Sequence, residues 1–186
     1  RVFDIATPPL VFPAEGIRLG DLLFRVPTEE DVPVIAPAFQ DPDVGGRANM
    51  PALDEVTLLS LVPKLAERME QGVFLALVVA DAETGVILGS CNLHQIDRHL
   101  GQAEIGYWLF RDARGRGIAT RTARFLAEHA FSLGFERIEA RVFADNPESE
   151  RVLERAGFTR EGVLRSLPRR AGGRDNMTLY SLLPGE

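Results

Sequence analysis

The sequence predicts an α+β fold, a single domain whose mixed, mostly antiparallel central sheet is flanked by helices. Three observations predict it. Strand-like segments follow one another at hairpin spacing between residues 73 and 110. One strand–glycine turn–helix–strand unit then runs over residues 103–143, and two more strand candidates close the chain as a hairpin. That order does not fit a doubly wound α/β array.

Residues 1–20 hold three prolines and little periodicity, and read as an extended lead-in to a domain over residues 21–183. Residues 22–26 form a short strand candidate. Thr28 then caps a helix with Glu29, Glu30 and Asp31 in its first turn, fading near Asp41-Pro42-Asp43. Residues 44–51, with Gly45, Gly46 and Asn49, read as a mobile loop. A second helix runs from about Asp54 to Glu70 and stops at Gly72, kinked by Pro63. Strands follow at 73–80, 86–96 and 103–110, the first two joined by a short turn ending in Gly85. Helix 119–133 ends at Gly134, a favourable C′ residue. Residues 137–143 are a strand, and 147–155 a helix with Pro147 in its first turn and Gly157 after its end. Residues 158–167 and 176–183 pair around a turn at 168–173.

A formal net charge of −6 argues against general nucleic-acid binding, which needs a basic footprint. Arginines gather in the C-terminal half, leaving room for a local basic cleft. Cys91 is the single cysteine, so no intrachain disulfide forms and a reducing, cytoplasmic setting is expected. No apolar run is long enough to cross a bilayer, and no membrane partner is expected.

Residues 114–119 read Arg-Gly-Arg-Gly-Ile-Ala between a strand and a helix. Glycines let backbone N–H groups approach a ligand, and the helix start adds unpaired donors and a positive dipole end. Arg114 and Arg116 add donors suited to phosphate. Read alone, the glycine pair is also compatible with an ordinary tight turn. A dinucleotide site is a poorer fit, because Thr120 stands where a third glycine belongs and the loop comes too late in the chain.

Arg114-x-x-Gly117-x-Ala119 resembles the pyrophosphate loop of the GCN5-related N-acetyltransferases. The segment from Asn146 through Ser149 and Leu153 to Gly157-Phe158 is similar to that family's later coenzyme-binding segment. The ending from Arg174 to Leu183 matches as well, and Glu104-Ile-Gly-Tyr-Trp-Leu resembles the subfamily acting on ribosomal-protein N-termini. The resemblance implies acetyl-CoA as co-substrate, no metal, and a primary-amine acceptor, either a protein N-terminus or a small molecule. It also allows a homodimer. The alternative is a silent acyl-CoA-binding sensor or regulatory module.

In the fold so implied, the strand before the loop splays from its parallel neighbour. Leu109 and Phe110 would then pair with the pantetheine arm, while the N–H groups of Gly115, Arg116, Gly117, Ile118, Ala119 and Thr120 hold the pyrophosphate. Asn146 would bond to pantetheine. Transfer to an amine needs a base and an acid but no enzyme nucleophile. Glu104 is the base candidate, with an exposed edge-strand carboxylate as the plainer reading. Ser149 is the acid candidate, with helix capping an equal alternative, and no tyrosine stands nearby in that segment, where many relatives carry one. Cys91 reads as a packed thiol, and Tyr107 and Trp108 as core or acceptor-pocket aromatics. His94 and His99 are spaced too loosely for a metal site. Arg165, Arg169, Arg170 and Arg174 crowd the last hairpin, where they could meet an acidic group.

Overall fold

The computed structural model describes residues 7–48, 50–168 and 173–186. Among them run β1 (Ile17–Leu19), β2 (Leu22–Arg25), α1 (Val32–Gln40), α2 (Glu55–Leu61), α3 (Leu65–Glu70), β3 (Leu75–Asp81), β4 (Ile87–Asp97) and β5 (Gln102–Leu109). The chain continues through α4 (Ile118–Ser132), β6 (Arg137–Phe143), α5 (Pro147–Arg155), β7 (Thr159–Pro168) and β8 (Arg174–Leu182). The strands make one sheet in the order β1-β2-β3-β4-β5-β6-β8-β7. Every neighbouring pair is antiparallel except β5 and β6, so the mixed α+β sheet is present as expected.

Local chemistry explains the element ends. Asp31 accepts the Thr28 N–H at 2.7 Å and the Arg25 guanidinium at 2.7 Å on each oxygen, fixing a short 3-10 turn ahead of α1. α4 buries Ile118, Thr122, Phe125, Leu126 and Ala130, the three-to-four spacing of one helix face. It closes at Gly134 (φ 86°), with Gly134 N–H to Phe131 O and Phe135 N–H to Ala130 O. α5 ends the same way at Gly157.

Three expectations change. Pro63 does not kink one helix but breaks it: a 3-10 turn, Val62–Lys64, separates α2 from α3. Leu10 and Phe12 of the proline-rich lead-in are buried in the main core, and β1 joins the sheet edge. The segment after α1 is a wide turn, Pro42–Gly46, with Val44 and Gly45 buried. Asn49, Arg169 and Arg170 lie outside the described residues.

Alternation sorts the sheet into two faces. Ala103, Ile105 and Leu109 of β5 and Ile138, Ala140 and Val142 of β6 share the core with α4 and α5. Val78 and Trp108 point to the other face, against Ile35 and Ala38 of α1. Glu104, Gly106, Glu139 and Arg141 therefore lie on the α1 face.

Candidate functional site

β5 and β6 pair only at Gln102↔Arg137, Ala103↔Ile138 and Glu104↔Glu139. Beyond that rung they part, and a cleft of about 510 Å³ opens between their edges. Phe110 N–H donates to Leu88 O at 2.9 Å, so alternate peptide groups of β5 face β4 while those of Tyr107 and Leu109 face the gap. The Leu109 peptide N–H faces the gap, whereas the Phe110 N–H is spent on β4 and its ring packs edge-on against Trp108 at 5.0 Å.

The glycine loop caps one end of the cleft. Gly115 (φ 73°) and Gly117 (φ 72°) both hold left-handed backbone, and a Cβ built on either meets no heavy atom of the other described residues within 4 Å, its chain neighbours aside. The loop is therefore glycine for its conformation, and the space above it is open. No side chain caps α4; Arg121 N–H is the first to find a partner inside the helix, Gly117 O at 3.2 Å. That leaves the N–H groups of Ile118, Ala119 and Thr120 for a ligand. Ile118 anchors the turn with its side chain buried, and Ala119 and Thr120 line the cleft.

The two loop arginines are placed differently. Arg114 Nε donates to Leu109 O at 3.2 Å and Nη1 to Asp43 at 3.1 Å, which ties the loop to the turn after α1. Arg114, then Arg111 and Arg47, hold the Asp43 carboxyl below the usual carboxylate range. Arg116 does not line the cleft; its charge acts on Asp81. Further cationic lining comes from Arg47, Arg151 and Arg155, which the sequence reading missed. Arg47 also reaches Glu148 at 3.5 Å across the cleft. Neither Arg165 nor Arg174 lines the cleft; Arg174 bonds back to Ser166 at 2.8 Å.

Asn146 caps α5 by accepting the Ser149 N–H at 3.3 Å and faces the cleft. Ser149 does not cap with its own hydroxyl. Its Oγ lies 2.8 Å from the Tyr107 hydroxyl. A phenol thus meets the start of α5 from β5, 42 residues away in sequence. Burial pushes the Tyr107 phenol well above its ordinary range, so it stays protonated at neutral pH.

On the opposite face Glu104 is only 8% exposed, which overturns the reading of an exposed edge carboxylate. His94 Nε2 approaches one oxygen at 3.6 Å and Arg141 Nε the other, Oε2, at 3.4 Å, yet Oε2 has no hydrogen-bond partner among the described residues. Cys91 is fully buried, and burial drives its thiol far up, as expected of a packed side chain.

A glycine cradle, an uncapped helix start and an open strand edge fit an extended coenzyme ending in phosphates. Residues 21–159 match the model of the Acetyltransferase (GNAT) domain. The Bacillus licheniformis protein named Uncharacterized N-acetyltransferase p20 is 31% identical over 92% of this chain and 98% of its own length. The ribosomal-protein-serine acetyltransferase of Escherichia coli is 31% identical over 51% of this chain and 54% of its own. Among solved structures, the microcin C7 self-immunity acetyltransferase MccE, in complex with acetyl-CoA and AMP, superposes with a TM-score of 0.79 at 22% identity, over 97% of this chain and 99% of that one. The family match and the fold agree: this chain belongs to the GNAT acetyltransferases.

Proposed function

We propose that the protein acetylates a primary amine, either a protein N-terminus or a small-molecule amine, by direct attack on the thioester of acetyl-CoA. As an acetyltransferase of this family it takes its acyl group from acetyl-CoA, which supplies an activated thioester when bound. The observation that carries the proposal is a carboxylate and a hydroxyl pair on opposite faces of one gap in the sheet.

In this reading the glycine loop and the start of α4 hold the pyrophosphate, and the gap-facing peptide group of Tyr107 and N–H of Leu109 hold the pantetheine arm. Asn146 adds a polar contact there. The acceptor enters from the α1 face, over Gly106 and between Val44, Trp108 and Met177. Glu104 takes the proton that the ammonium must lose before it can attack. Tyr107 and Ser149 share one hydrogen bond, so one hydroxyl proton remains to meet the departing sulfur. Burial keeps the Tyr107 phenol protonated at neutral pH, so its proton is present to be donated.

Release of free thiol with a panel of amines, measured against pH, tests the proposal. Glu104→Gln should lose the acidic limb of the kcat/KM profile and about a hundredfold in rate. Ser149→Ala and Tyr107→Phe should each lower kcat while sparing acetyl-CoA affinity, and the double variant should lose little more than either alone. An unchanged profile and turnover in any of these variants removes that residue from the mechanism.

A further inference from the structure

Glu104 and Glu139 are cross-strand neighbours on the last rung before the sheet opens, both on the α1 face. Like charges set opposite one another destabilise a sheet. Two arginines offset part of this. Arg141 reaches Glu104 at 3.4 Å and Glu139 at 3.5 Å, and Arg137 bonds to Glu139 at 2.8 Å. Arg137, however, is shared with Glu161 at 2.6 Å. The compensation stays incomplete, because among the described residues the buried Glu104 Oε2 still lacks a hydrogen bond. A buried carboxylate oxygen left in that state awaits a donor.

These carboxylates line a basin of about 470 Å³ on the open face, together with Asp97, Gln95 and Gln102. Asp97 stands where a bulge interrupts the β4–β5 ladder, next to Gln95 in left-handed backbone (φ 48°). Arg141 is the sole cationic residue lining the basin among the described residues. Among the described residues it alone lines both the basin and the cleft, so the two spaces meet at its side chain. Three carboxylates against Arg141 and an Arg137 shared with Glu161 leave this chamber anionic, and it includes the carboxylate assigned above to the reacting amine.

We infer that this basin receives a second positive charge of the acceptor. The preferred substrate is then an amine carrying another ammonium or guanidinium group about two strand residues, roughly 7 Å, from the reacting nitrogen. Glu104 serves the reacting nitrogen, and Glu139 and Asp97 face the distal charge. The inference rests on the amine-acceptor reading above.

The test compares kcat/KM within matched acceptor pairs, using the full chain and acetyl-CoA. One pair is diaminopentane against pentylamine. The other is a short peptide with lysine in second place against its norleucine counterpart. The dicationic member should win by about tenfold or more in at least one pair, and the responding pair tells a small polyamine from a peptide N-terminus. Glu139→Gln and Gln102→Lys should each collapse that ratio toward one. Melting temperature and acetyl-CoA titration check that each variant is folded. Ratios within twofold for both pairs, or ratios that survive both variants, overturn the inference while leaving amine acetylation standing. If no amine is acetylated although acetyl-CoA binds, the transfer reading itself falls, and this inference with it.

Discussion

Gly117→Ala separates what the loop does for folding from what it does for binding. Gly117 sits at φ 72° and ψ 5°, and a Cβ there would meet no heavy atom within 4 Å. The variant therefore pays only the left-handed backbone penalty for an L-residue, about 1 kcal/mol. For a chain of this size that is a fall in Tm of about 2–4 °C. Binding should suffer more, because the new methyl projects into the space through which the α4 N–H groups approach an anion. Losing one hydrogen bond to a charged group costs about 1.5–3 kcal/mol, or roughly 10- to 150-fold in acetyl-CoA affinity. Calorimetric titration with acetyl-CoA, beside a thermal melt, measures both. A variant that melts as expected but binds acetyl-CoA normally would refute the assignment of the loop.

Two further outcomes follow from packing and charge. A Cβ at Gly89 would fall on the carbonyl oxygen of Trp108, so Gly89→Ala should wedge β4 from β5 and cost about 1–3 kcal/mol in urea unfolding. In the folded protein Glu161 is held down to about 2 from 4.5, first by its hydrogen bond to Arg137 and then by Ser181. A lowered carboxylate pKa adds stability that is present above pH 4.5 and lost as pH falls toward 2. Acid unfolding should accordingly be shallower in Glu161→Gln over that window, the shift shrinking in high salt because the pair is near the surface.

Local signals in the sequence carried the C-terminal half well. β6 and α5 fall at residues 137–143 and 147–155, where Pro147, Gly134 and Gly157 act through backbone rules that need no distant partner. Pro63 was seen but its effect underrated, because a missing N–H and a ring clash can end a helix as readily as bend it. Partners far apart in sequence stayed out of reach. The Tyr107 hydroxyl meets Ser149 only because the opened sheet lays β5 against the start of α5. Arg114 lines the cleft, but no local signal announces that its guanidinium also bonds to Asp43, 71 residues earlier. An exposed edge carboxylate was the plainer reading of Glu104 because no local pattern announces His94 and Arg141 on either side of it.

The gap between β5 and β6 also acts as a gauge. A strand border left unpaired at the outer rim of a sheet invites another chain to add to it. Here the bare border lies in the middle of the sheet, with β4 behind one side and β8 behind the other. Neighbouring strands sit about 4.8 Å apart, so an object lodged between two such borders needs them about 10 Å apart and must itself be as thin as one extended chain. The taper from the Glu104↔Glu139 rung outward then sets how deep each part of that object can travel. Thickness, more than any single contact, then selects what can thread the opening toward that rung.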